Sequence, residues 1–148
     1  MLTETLGFRK TNEHINRFRF EAGAGGPGCC VDILCQPELI PGSMGAGIVH
    51  HVAWQIKDDA AQLLMQKKLQ AVGMNVTPVM DRNYFHSIYF HSPGGVLFEV
   101  ATNPPGFLID ETKESLGTQL KLPSWLEKHR EEIEKALPKI TSPKKYGK

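Results

Sequence analysis

The stretch IVHHVAWQIKDDAAQLLMQKKLQAVGMNVTPVMDRNYFHSIYFHSPGGVLFEVA, residues 48–101, decides how this chain folds. Ile48 to Ile56 reads as a strand. From Asp58 onward the apolar positions Ala61, Leu64, Met65, Leu69 and Val72 recur at helical spacing as far as Gly73, and Asp58 or Asp59 is placed to cap that helix. Three further strands are expected at Val76 to Met80, Ser87 to His91 and Val96 to Ala101, separated by DRNYF and by the tight turn SPGG. Strand, helix, then three strands make a βαβββ module.

Upstream, the same order recurs without its first strand. Leu2 to Leu6, closed by Gly7, reads as the last turn of a helix. Phe8 to Glu13, Asn16 to Ala22 and Cys29 to Cys35 read as strands, the second alternating Arg17, Phe18, Arg19, Phe20 in the period of two that buries one face. The run GAGGPG at 23–28 interrupts that pattern. The expected fold is therefore α+β, built from paired βαβββ modules of which the first lacks its first strand. Residues 1–47 would form the truncated module and a Pro/Gly-rich connector, 48–102 the second module, and 103–148 a tail with one helix. In that tail Ser124 and Glu127 have capping-box spacing and Pro138 is placed to end the helix, with Trp125, Leu126, Ile133 and Leu137 expected to dock onto the sheet.

Length and composition agree with one domain plus a tail: 148 residues, 41% hydrophobic and 22% charged. The formal charge of +1, from 17 basic and 16 acidic side chains, gives no reason to expect nucleic acid as a partner. No apolar run approaches the roughly 20 residues that cross a bilayer, and MLTETLGFRK lacks the order of a secretory signal, so no membrane role and a cytoplasmic location are expected. Cys29, Cys30 and Cys35 form neither a disulfide framework nor a zinc knuckle, and are read as reduced, buried strand residues.

Candidate chemistry gathers in the second module. His50 and His51 stand in the first strand, where neighbours point to opposite faces, so at most one can look into a cavity. Glu99 is flanked by Val96, Leu97, Phe98, Val100 and Ala101, and a carboxylate in such company is costly to bury without a partner. A cation is one such partner, and imidazole with carboxylate suits a divalent iron, manganese or zinc ion. Ser87, Tyr89 and His91 share one strand face, from which the Tyr89 phenol can reach a ligand.

GIVHHVAW together with TPVMDRNYFHSIYFHSPGGVLFEVATNPPGFLIDE closely resembles the C-terminal module of ring-cleaving dioxygenases acting on hydroquinones. These belong to the glyoxalase, bleomycin-resistance and extradiol-dioxygenase superfamily, also called vicinal-oxygen-chelate proteins. LGFRK, NRFRFE and PGSMGAG resemble the preceding module, and the pattern from Leu116 to Glu134 the tail, so the resemblance runs to about Ile140. It implies that His51 and Glu99 are metal ligands, His50 a supporting histidine, Arg82 a substrate-pocket arginine and Tyr89 a pocket tyrosine that exchanges protons. It also implies Fe(II) as the metal (with Mn, Zn or Ni as alternatives), and dioxygen and a small dihydroxylated aromatic as substrates.

In complete members of that family four modules form two domains, and the remaining histidine ligand comes from a module that has no counterpart in this sequence. The chain is therefore expected to be part of a longer protein, or to work as a homo-oligomer or with a complementing N-terminal half, pairing through the sheet edge left open by the absent strand. His86, His91 or another subunit are candidates for a third ligand. His91 also stands where an arginine is expected in relatives. Two other functions stay open on the same scaffold: a glyoxalase-type lyase or isomerase using zinc or nickel, and a metal-free module that sequesters a small planar compound.

Overall fold

The computed structural model describes residues 1–40 and 42–139. Ile140, the end of the resemblance, lies outside the described residues. The chain divides into two compact units, residues 1–106 and 107–148.

In the first unit, β1 (Arg9–His14), β2 (Arg17–Glu21) and β3 (Cys30–Leu34) form an antiparallel sheet in the order β1-β2-β3. The second sheet has the order β4-β7-β6-β5, from β4 (Val52–Gln55), β5 (Met80–Asp81), β6 (His86–His91) and β7 (Leu97–Ala101). Helix α1 (Asp59–Ala71) follows β4, so β4-α1-β5-β6-β7 is a complete βαβββ unit. Strand β4 runs parallel to β7, while β6 is antiparallel to both of its neighbours, β7 and β5. In the first sheet β3 has no such parallel neighbour among the described residues, and β1 and β3 form its two edges. The architecture is α+β, as expected.

Local chemistry sets the ends of α1. The Asp58 side chain accepts from the Ala61 amide at 2.8 Å, while Gly73, at φ 82°, lets the Gly73 amide reach the Gln70 carbonyl and the Met74 amide reach the Leu69 carbonyl. The buried face differs from the expected stripe. Leu64 and Val72 are exposed, whereas Gln62 and Leu69 are fully buried with Met65 beside them. Burial of Gln62 is possible because its amide donates to the carbonyls of His86 and Val100, both at 2.8 Å.

The core lies on the α1 side of the second sheet, where Ile88, Phe90, Phe98 and Val100 meet Leu69, Val76, Leu2 and Phe8. Edge-to-face contacts link Phe8 to Trp54 at 4.9 Å, and both Trp54 and Phe90 to Phe98 at 5.7 Å. Strand alternation therefore sends Ser87, Tyr89 and Glu99 to the opposite face of the sheet.

Three further expectations are corrected. The strand expected at Val76 to Met80 shrinks to Met80–Asp81, because Pro78 has no donor. Thr77 still ties the segment to β6: its amide donates to the Tyr89 carbonyl and its hydroxyl accepts from the Tyr89 amide, both at 3.0 Å. Among the cysteines, all free, only Cys30 lies within a strand, and Cys30 and Cys35 are exposed rather than buried. In the second unit a short 3-10 turn (Glu127–His129) leads into α2 (Arg130–Ala136) with no side-chain cap. The Glu127 carboxylate is taken by Arg130 at 2.6 Å, which removes it from any capping box, and Trp125 is 63% exposed.

Candidate metal centre

Strand β7 is flanked on both sides, and this brings three strands to bear on one carboxylate. Glu99 has Ala53 of β4 as its partner on one edge and Tyr89 of β6 on the other. Its residue exposure is 3%. The alternation that buries Phe98 and Val100 in the core turns Glu99 to the other face, and a carboxylate so placed requires partners.

The two carboxylate oxygens have different partners. Oε1 accepts from the hydroxyls of Ser87 and Tyr89, the latter at 2.8 Å. Oε2 lies 2.7 Å from Nε2 of His51. The Tyr89 hydroxyl also accepts from Nε of Arg82 at 3.2 Å, and the Arg82 guanidinium carbon stands 5.2 Å from the Tyr89 ring centroid. On the other side, Nδ1 of His51 is 2.9 Å from Nδ1 of His50. A single network thus runs from Arg82 through Tyr89, Glu99 and His51 to His50.

Of the residues singled out from the sequence, His50, His51, Arg82, Tyr89 and Glu99 lie in this network. The histidines, however, do not alternate across a strand. Strand β4 begins only at Val52, and the irregular backbone before it lets both imidazoles turn toward each other. Ser87, which the sequence places on this face without a role, is fully buried against Glu99. Its signal is the one-face spacing of Ser87 and Tyr89 on a strand beside that of Glu99.

The two histidines considered as third ligands are not brought to the pair. Nδ1 of His86 contacts Asp59 of α1 at 2.9 Å, on the helix side of the sheet. The hydrogen bond to Asp59, reinforced by its charge, raises the His86 pKa above the ordinary value. His91 is exposed at the end of β6, in register with Leu97. Among the described residues no group of three or more His, Cys, Asp or Glu side chains converges.

The donors that do converge fit a divalent cation. First-row ions bind nitrogen and carboxylate oxygen at about 2.1 Å, which sets neighbouring ligands about 3 Å apart. His51 Nε2 and Glu99 Oε2 need only separate by a few tenths of an ångström to meet that spacing. One buried carboxylate oxygen is already committed to hydroxyl donors, leaving the other for the ion.

The fold is that of the vicinal-oxygen-chelate superfamily. A glyoxalase/dioxygenase of Nostoc punctiforme shares the fold, with a TM-score of 0.57 at 17% identity over 69% of this chain and 78% of that one. Within the superfamily the chain is homologous to proteins named as ring-cleaving dioxygenases. It is 44% identical over 137 residues to MhqO of Bacillus subtilis strain 168, a protein assigned to that group. It is 36% identical over 123 residues to a chlorohydroquinone/hydroquinone 1,2-dioxygenase of Sphingobium indicum. A crystal structure of a B. subtilis strain 168 protein assigned as a dioxygenase superposes with a TM-score of 0.85 at 43% identity, over 95% of this chain and 45% of that one. The matches cover 93% and 80% of this chain but 43% and 37% of the two relatives, so the chain spans less than half their length. No family model matches the sequence.

Proposed function

We propose that this chain carries the metal-binding portion of a ring-cleaving dioxygenase, with His51 Nε2 and Glu99 Oε2 as ligands of Fe(II). The substrates proposed are dioxygen and a hydroquinone or catechol-like ring. One observation carries the reading: the approach of those two atoms to 2.7 Å on the sheet face away from the core. The names of the homologous proteins support the reaction class.

Bound Fe(II) would supply a Lewis acid for a ring hydroxyl and a template for dioxygen. The protein's own groups divide the remaining work. A neutral His51 that gives its Nε2 lone pair to the ion carries its proton on Nδ1, and His50 Nδ1 is in place to accept it, which fixes the tautomer and the ring plane. The Tyr89 hydroxyl donates to Glu99 and accepts from Arg82, so it can take or return a proton at Oη while the guanidinium stabilises negative charge beside it. A third ligand would come from a second copy of the chain or a complementing N-terminal half, for which the edge of β3 is an open pairing site.

Anaerobic loading with Fe(II), followed by oxygen uptake with methylhydroquinone or catechol, tests the reading. Stoichiometric iron and ring-dependent oxygen uptake are expected. Zinc or nickel retention without uptake would favour the lyase, and tight binding of a planar compound without metal would favour the sequestering module; either result overturns the proposal.

A further inference from the structure

Ser87 has no exposed surface, and its Oγ donates to Oε1 of Glu99. It lies on β6 two residues before Tyr89, diagonal to Glu99 across the β6–β7 ladder, within reach of a short side chain. Tyr89 also donates to Oε1, but Tyr89 is half-buried and engaged with Arg82, so it has other work open to it. Ser87, sealed from solvent, cannot touch a substrate. Its chemistry is confined to the carboxylate.

A carboxylate ligand can bind a cation through one oxygen or through both, and it can rotate between those modes. A buried hydroxyl donating to Oε1 opposes rotation, because leaving that bond strands a donor where no water can reach it. We infer that Ser87 is a positioning residue that fixes Glu99 as a one-oxygen ligand, holding Oε1 so that Oε2 alone faces His51 and the ion. This inference rests on the reading of His51 and Glu99 as metal ligands. It assigns Ser87 the outer role of a support that orients a ligand, where a lost partner lowers metal affinity by about 10- to 100-fold. Serine suits the position because it couples a hydroxyl to minimal volume; alanine removes the donor, and cysteine keeps the approximate shape with a much weaker one.

The test uses the full chain, anaerobic Fe(II) and Mn(II) as probes, calorimetric affinities, and the infrared separation of the two carboxylate stretches, which is wide for one-oxygen ligation and narrow for two. The wild-type chain is expected to show a wide separation. S87A and S87C are expected to bind both ions about 10- to 100-fold more weakly, with a narrowed separation and an unchanged circular dichroism spectrum. Should S87A fail to fold, S87C decides. Wild-type affinity and separation in a folded variant would overturn the role of Ser87 while leaving the metal centre intact. A wild-type chain that binds neither ion would instead overturn the metal reading, and the inference with it. Weaker binding with an unchanged separation would also overturn it, since that is the signature of general loosening rather than of a freed oxygen.

Discussion

Tyr89 and Glu99 are register partners across β6 and β7, and the phenol donates to the carboxylate at 2.8 Å. The same phenol oxygen accepts from Arg82 at 3.2 Å. Tyr89 is therefore held at both of its hydrogen-bonding positions, one to the proposed ligand and one to a permanent cation.

From this follows a split between binding and turnover. In a preparation that cleaves rings, Tyr89→Phe is expected to lower kcat by about 100-fold or more, the range of a lost general acid or base. Ser87 still holds Oε1 in that variant, so iron affinity should fall less than in S87A. Paired kcat and iron-affinity measurements check this. A Tyr89→Phe variant with unchanged kcat and a larger affinity loss would make the phenol a mere support.

His51→Ala and Glu99→Ala are each expected to abolish iron retention through gel filtration after anaerobic loading. Glu99→Ala also leaves the buried Ser87 hydroxyl without an acceptor, at about 1–3 kcal/mol, so Glu99→Gln is the cleaner variant. It preserves size and an acceptor oxygen but removes the charge. Metal analysis is the measurement: full occupancy in His51→Ala or Glu99→Ala rejects that residue as a ligand, and full occupancy in Glu99→Gln shows that the charge is not needed.

Glu99 was legible in the sequence for a reason that needs no coordinates: a carboxylate inside VLFEVA has few inexpensive fates. Ser87 was not, because a serine in an alternating strand looks ordinary until the register shows which cross-strand neighbour it meets. The face of α1 was misread for a similar reason. Leucine outranks glutamine on any hydrophobicity scale, yet Gln62 is buried and Leu64 exposed, because two carbonyls on β6 and β7 offer acceptors that only the tertiary structure places within reach. The paired orientation of His50 and His51 depends on where β4 begins, and strand ends are weakly encoded.

Gln62 supports a stability prediction of its own. Its amide bridges the carbonyls of His86 and Val100, residues adjacent in sequence to Ser87 and Glu99. Gln62→Leu removes both hydrogen bonds and should lower stability by about 1–3 kcal/mol, although the His86 carbonyl keeps the Thr102 amide at 3.0 Å. Urea denaturation checks the sign: a variant as stable as wild type would mean that water or the strand ladder satisfies both carbonyls.

The contact between His86 and Asp59 predicts a pH dependence whose sign is fixed by linkage. The hydrogen bond and charge of Asp59 raise the folded pKa of His86 above the ordinary 6.5. In that case the folded state binds the proton more tightly than the unfolded one. The stabilisation is fully present below the unfolded value and is lost as pH rises through the higher folded value. Both side chains are more than a third exposed, so the effect is small and screened by salt. Asp59→Asn should therefore destabilise more at pH 5.5 than at pH 8.5 in low salt. Asp59 also sits in the first turn of α1, where its charge favours the helix N-terminus at both pH values. That contribution cancels when the two denaturation midpoint differences are subtracted. A remaining difference of zero, or one larger at pH 8.5, would show that Asp59 does not hold the His86 proton.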